Sequence, residues 1–320
     1  MNAPKILVTG ASGFVGEAVV FRLLLDRKFI PIAAARGATR LNGLCAVVPF
    51  ELTDSKALPD LSDVQIVIHA AARVHVMNET AIDALTEFRK VNVEGTLRLA
   101  QRAAESGVKR FIFISSVKVN GESTVLGKPF KANDFPTPAD PYGVSKYEAE
   151  EALRQLGFDT GMEVVIIRPP LVYGPGVRAN FLSMLDWLNK GVPLPLGAIG
   201  NRRSLVAIGN LVDLIVTCID HPAAANQIFL VSDGDDLSTP QLLRCLARAL
   251  GKRVWLLPLP EWLLKLVASA VGRSTVAQRI CGSLHVDIDK NRELLGWIPP
   301  VKLETAMRQT ARQYLDNLTK

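Results

Sequence analysis

The sequence predicts an α/β protein: a doubly wound parallel sheet covered by helices on both faces, followed by a smaller C-terminal lobe. Three observations carry this. Short runs such as "VQIVIH" (64–69) are almost continuously apolar, as strands buried on both faces must be. These runs alternate with stretches of helical periodicity, the pattern of parallel strands joined by crossover helices. After Arg168 the texture changes, with frequent prolines and glycines between 169 and 200 and shorter, less regular segments.

In order, "KILVTG" (5–10) opens as a strand and residues 14–27 follow as a helix. "FIPIAAAR" (29–36), "CAVVPFEL" (45–52) and "VQIVIHAA" (64–71) are the next strands, and a helical stretch covers 80–106. "RFIFISS" (110–116) precedes a helix over 141–157, where Pro141 suits a first helical position because its missing N–H is not needed there. "EVVIIRP" (163–169) ends the regular alternation. "RRSLVAIGNLVDLIVTCID" (202–220) and "QIFLVSD" (227–233) return to the α/β texture. The expected division is a main domain over 1–168, rejoined by about 202–232, and a lobe drawn mainly from 169–320.

Composition narrows the function classes. The net charge of +6 comes from dispersed basic residues, "NRR" (201–203) being among the tightest clusters. No basic stripe interleaved with aromatics appears, so a small anionic ligand is expected and nucleic acid is not. No apolar run reaches the roughly 18 residues that span a bilayer. The nearest, "WLLPLPEWLLKLVASAVG" (255–272), is broken by two prolines, Glu261 and Lys265, and reads as a buried or lobe-joining helix without stable membrane insertion. Met1 to Pro4 leads straight into the first strand, so no signal peptide is expected. Cys45, Cys218, Cys245 and Cys281 are scattered, as free thiols of a cytoplasmic protein would be.

Gly10, Gly13 and Gly16 lie between the first strand and the first helix. The first permits a tight turn, the second a close approach of backbone to a pyrophosphate, and the third close helix–strand packing. Helix N–H groups then favour the anion, so a dinucleotide is expected on a Rossmann-type sheet. No Asp or Glu occurs between Lys28 and Gly43, where an NAD site usually places an acid for the ribose hydroxyls. Arg36 and Arg40 stand there instead and suit a 2′-phosphate. NADP(H) is therefore favoured, with NAD(H) possible.

"FISSVKVNG" (113–121) and "DPYGVSKYEAE" (140–150) carry the candidate chemistry. Tyr142 and Lys146 are four apart and share a helix face. An ammonium beside a phenol lowers the phenol pKa, and Ser116 at a strand end can bind the same carbonyl oxygen. Such a trio suits proton transfer coupled to hydride transfer at a carbonyl or carbinol carbon.

With these motifs, together with "HAAA" (69–72), "NVEGT" (92–96) and "RPPLVYGPG" (168–176), the chain resembles the extended short-chain dehydrogenases/reductases of the nucleotide-sugar epimerase/dehydratase branch over nearly its whole length. The resemblance implies that Ser12, Phe14 and Val15 join the pyrophosphate loop and that Glu51 and Leu52 lie near adenine. It implies that Ala70, Ala71, Ala72 and Ser115 line the cofactor and that Asn92 supports the central sheet and an active-site water. Tyr142 and Lys146 would also touch the cofactor, Lys146 through the nicotinamide ribose, and Pro169 and Val172 would approach the nicotinamide. Lys118, Asn120 and Asn180 would face substrate. Arg203 and Arg279 would bind the substrate diphosphate, which two guanidiniums suit.

Departures from the family pattern refine this reading. Asn120 replaces a frequent tyrosine, and Pro170 stands where many galactose epimerases carry asparagine. Val117 and Lys118 replace the Asp-Glu pair with which 4,6-dehydratases eliminate water, so dehydration is not expected. His69 reads as structural, and His75, His221 and His285 as histidines outside any metal set, so no metal is expected. Trp187, Trp255, Trp262 and Trp297 read as packing residues and Asp213 as a helix brace. Arg36 and the missing acid favour net reduction by NADPH, and "SSVKVNGE" (115–122) and "RPPLVYGPG" (168–176) resemble bacterial 4-keto reductases, which implies reduction of the C4 ketone of a UDP-2-acetamido-2,6-dideoxy-4-keto-hexose for surface polysaccharide. The family resemblance also implies a homodimer. The alternative is a UDP-sugar 4-epimerase with bound NAD.

Overall fold

The computed structural model describes residues 3–54, 58–74, 83–270, 272 and 274–319, without the side chains of 179–180 and 274–276. Seven parallel strands form the main sheet in the order β3-β2-β1-β4-β5-β6-β9. They are β1 (Lys5–Thr9), β2 (Ile30–Ala35), β3 (Ala46–Pro49), β4 (Val64–His69), β5 (Arg110–Ile114), β6 (Glu163–Arg168) and β9 (Ile228–Leu230). Between β6 and β9 in the chain, β7 (Leu171–Tyr173) and β8 (Leu205–Ala207) pair separately in parallel. Strand order reverses direction between β1 and β4, the place where open α/β sheets bind ligands beyond the strand carboxyl ends.

One face of the sheet packs on α1 (Phe14–Asp26) and α6 (Ile208–Asp220) through residues such as Val19, Leu23, Leu211 and Ile215. The other packs on α3 (Thr96–Glu105) and α4 (Pro141–Thr160) through Leu99, Ala103, Ala149 and Leu153. The continuous apolarity of the strands follows, since both faces are covered. Asp213 braces this layer: its carboxylate accepts from Trp297 Nε1 at 3.0 Å and pairs with Arg22 at 3.2 Å.

The helix expected over 80–106 is divided. α2 (Ala84–Arg89) runs into a π-helical turn, Lys90–Gly95, and only then into α3. The wide turn seats buried Asn92 between the loop after β4 and α4, a contact that apolar periodicity does not encode.

The smaller core is built by α5 (Ala179–Asn189), α7 (Thr239–Ala249) and α11 (Leu303–Leu318) around Phe181, Leu185, Leu243, Leu246 and Met307. α8 (Glu261–Ala270), α9 (Ser274–Cys281) and α10 (Asp289–Leu295) complete the chain. Of the buried or lobe-joining helix expected at 255–272, the buried alternative does not hold: no residue of α8 is buried. Trp187, Trp255 and Trp262 are 47%, 66% and 67% exposed, and only Trp297 is a core residue. The apolar richness of the segment had suggested packing, but no element covers its outer face among the described residues. All four cysteines are free thiols.

Candidate active site

The β1–α1 loop is shaped by its glycines. Gly10 has φ +66°, and a Cβ there would come within 2.7 Å of Ala71 N; at Gly16 it would meet Gly10 O at 2.3 Å. Gly13, the N-cap of α1, is exposed, and α1 has no side-chain cap. Its first-turn N–H groups therefore stay open to an anion. Ser12 is exposed beside them, and half-buried Phe14 and Val15 start the helix. The Ala71 N–H donates to Thr9 Oγ1 at 3.3 Å, which brings Ala70, Ala71 and Ala72 against this loop. The residues present fit a dinucleotide pyrophosphate.

At the carboxyl ends of β2 and β3, a cavity of about 460 Å³ is lined by Ala35, Arg36, Gly37 and Asn42 among others. Both arginines expected to take a 2′-phosphate face carboxylates. Arg40 makes a two-pronged contact with Glu17 at 3.1 and 2.6 Å, and Arg36 stands 3.9 Å from Glu51. Buried Leu52 lies under the π-helical turn, where a Cβ on Gly95 would meet its carbonyl at 2.7 Å.

α4 begins at Asp140, whose carboxylate accepts from Gly143 N at 2.6 Å. This cap fixes the first turn and hence Tyr142. Its ring meets Phe88 edge-on at 5.9 Å. Its phenol is hydrogen-bonded by the Ser116 hydroxyl, so these two groups converge from α4 and the end of β5. One turn on, Lys146 is buried with Nζ 3.9 Å above the Phe113 ring. Burial lowers the Lys146 pKa to about 7, against a smaller upward pull from Glu150.

Tyr142 departs from the sequence expectation. Burial, with help from the Asp140 charge, pushes its pKa up to about 12; the Ser116 hydrogen bond opposes this. A lysine that is itself half-deprotonated near pH 7 and packed on Phe113 does not offset the desolvation of a phenolate. His69 is buried, with ring nitrogens 2.6 Å from Thr9 Oγ1 and 2.9 Å from Thr96 Oγ1, and its pKa falls to about 3 through burial. It is a neutral strut at working pH.

Glu150 and Arg168 have a structural role that motif reading missed. Arg168 Nε donates to both Glu150 oxygens at 3.0 and 3.1 Å, and Arg168 Nη1 donates to Asn120 Oδ1 at 3.0 Å. The Ser115 hydroxyl donates to the same carboxylate, and all four residues are buried. Tyr142, Lys146 and Glu150 recur every four residues on one helix face, a signal that could have flagged the glutamate. Ser115 and Asn120, expected at cofactor and substrate, thus direct their side chains into this network, and Asn120 Nδ2 donates to Lys131 O at 3.1 Å. Asn92 Nδ2 donates to Ser145 Oγ and to Arg73 O, each at 3.0 Å.

Val117 N donates to Pro169 O at 3.0 Å, which holds Pro169 beside the serine loop; Val172 follows in β7. Lys118 pairs with Asp140 and, at 3.1 Å, with Glu122. Burial lowers the pKa of Arg203, with Glu122 opposing and the Arg279 charge adding to the fall. Arg203 Nη1 donates to Arg279 O at 2.6 Å, so the two arginines stand together at the end of α9. Asn180 lies in α5, with its side chain outside the described residues, as is the whole of His75. His221 Nδ1 accepts from Ala223 N and His285 Nδ1 bonds Thr124 Oγ1; no metal-binding cluster occurs among the described residues.

Comparison with known proteins extends this picture. A "UDP-glucose 4-epimerase" of Vibrio cholerae is 52% identical over 319 residues, covering 98% of this chain and 96% of its own. An Escherichia coli O157:H7 "N-acetyl-alpha-D-glucosaminyl-diphospho-ditrans,octacis-undecaprenol 4-epimerase" is 27% identical, covering 96% and 94%. The solved UDP-glucuronic acid 4-epimerase of Bacillus cereus, in complex with NAD, shares the fold with a TM-score of 0.79 at 20% identity, covering 99% and 100%. The family model described as "NAD dependent epimerase/dehydratase family" matches residues 6–232, so this chain, with its doubly wound sheet and its serine–tyrosine–lysine cluster, belongs to that family of enzymes.

Proposed function

We propose that the protein is a UDP-sugar 4-epimerase that retains NAD through its catalytic cycle. The observation that carries this is the Vibrio cholerae relative, similar along both whole chains. The paired states of Arg36 and Arg40 support NAD over NADP, because a 2′-phosphate would have to displace Glu51 and Glu17 from them. The NAD held by the Bacillus cereus enzyme of the same fold agrees with this.

Ser116 and Tyr142 converge on the C4 oxygen of the sugar. Tyr142 takes the hydroxyl proton as C4 is oxidised and returns it when hydride is delivered to the opposite face of the ketone. Bound nicotinamide would supply the hydride acceptor and, when oxidised, a positive charge that would draw the Tyr142 pKa down from about 12. Lys146 orients the nicotinamide ribose, and Arg203 and Arg279 hold the substrate diphosphate. Val117 and Lys118 stand where the resemblance places the Asp-Glu pair of dehydratases, and Lys118 is paired with Asp140, which does not fit elimination.

A second reading, the NADPH-dependent 4-ketone reductase, is favoured by one observation: no acid stands at the end of β2. The two are separated by incubating the protein with UDP-glucose and with UDP-N-acetylglucosamine and following their C4 epimers by NMR. Interconversion without NADPH consumption is expected. Stoichiometric NADPH oxidation with UDP-2-acetamido-2,6-dideoxy-4-keto-glucose, with both UDP-hexoses untouched, would replace it with the reductase.

A further inference from the structure

We propose that the outer face of the small lobe, formed by α8 and the chain leading into it, docks on a membrane surface carrying anionic lipid. α8 seats its half-buried side, Leu263, Leu264 and Ala268, inward. Trp262, Leu266 and Ser269 recur at helical spacing on the other side, and Leu266 and Val267 are 59% and 52% exposed. Trp255 and Leu257 extend the same apolar character upstream, anchored by backbone bonds between Leu194 and Trp255 at 2.9 Å and between Gly197 and Leu257 at 2.9 Å.

Among the described residues of the chain, the three exposed tryptophans all lie in this lobe. An indole has a large apolar body and one N–H donor, a combination that suits the headgroup level of a membrane interface. Charge selects among occupants. From Arg248 to Gly272 the sequence carries Arg248, Lys252, Arg253 and Lys265 against one acid, Glu261. Glu261 accepts from Gly200 N at 3.1 Å and pairs with Lys265 at 3.6 Å, so those two charges offset each other. The surplus lies in Lys252 and Arg253, both exposed and just ahead of Trp255 in the chain. Apolar residues with Trp on one side and Lys/Arg beside them match an amphipathic helix lying in an anionic interface. The core of a protein–protein interface is, by contrast, depleted in lysine. At 10 residues α8 lies on a bilayer and does not cross one. The docking does not depend on the proposed reaction.

The test uses the whole protein and sedimentation with vesicles of phosphatidylglycerol mixed with phosphatidylcholine, or of phosphatidylcholine alone. Binding to the anionic vesicles, weakened by salt and accompanied by a blue shift of tryptophan emission, is expected. Trp262→Glu with Leu266→Glu should lower partitioning about tenfold or more, since two large apolar side chains leave the interface. Lys252→Glu with Arg253→Glu should remove the preference for anionic vesicles, and both variants should keep their sugar-nucleotide turnover and circular dichroism. Equal binding to both vesicle types, or binding unchanged in the Trp262/Leu266 variant, would overturn the proposal. So would a fall in oligomeric mass of that variant by light scattering, which would assign the face to a second copy of this chain.

Discussion

Tyr142 is where geometry and electrostatics are most informative. Its hydroxyl is the group that meets Ser116, so Tyr142→Phe is expected to lower kcat by about 10²-fold or more while NAD affinity stays within about twofold, measured by turnover and fluorescence titration. Retained turnover would remove the tyrosine from the chemistry. Lys118 tests the surrounding charge. It neutralises Asp140, which raises the Tyr142 pKa. Lys118→Met removes that neutralising charge and should push the Tyr142 pKa higher still. Because the oxidative half-reaction of the proposed epimerase needs phenolate, the acid limb of the kcat/KM profile should move to higher pH. An unmoved limb would mean that Asp140 is screened from the phenol by another group.

At the scale of elements, α4 is locked to β5 and β6 by the Glu150–Arg168 pair with Ser115 and Asn120. Removing one partner of a buried ion pair strands the other charge, which typically costs about 3–5 kcal/mol. Glu150→Gln should therefore lower the unfolding free energy by that order in denaturant titration. It should also lower the Lys146 pKa further, because Glu150 is the group holding it up. A stability loss without any change in the pH profile would make the glutamate structural only. The β1–α1 turn has a different vulnerability: Gly16→Ala would drive a Cβ into Gly10 O, and both stability and dinucleotide affinity should fall together.

For the whole molecule, the burial of Lys146 sets a pH dependence of stability. Its folded pKa of about 7 lies below the ordinary 10.5, so between those values the unfolded chain binds more protons and stability from this group rises with pH. Below about pH 7 both states are protonated and the full cost of burying the ammonium is present. The stability of the wild type relative to Lys146→Met should thus climb toward alkaline pH, by at most about 1.4 kcal/mol per pH unit. A difference that stays flat between pH 7 and pH 9.5 would show that the folded lysine keeps its charge. By itself the sequence determined the sheet, the glycine turn and the spacing of Tyr142 and Lys146, because strand and helix periods and φ-positive turns are local properties. The tertiary structure decided the rest: the π-helical turn that seats Asn92, the carboxylates opposite Arg36 and Arg40, the inward turn of Asn120, and the exposure of α8. Those features depend on partners distant in the chain, and neither hydrophobic periodicity nor residue type records which distant group a side chain will meet.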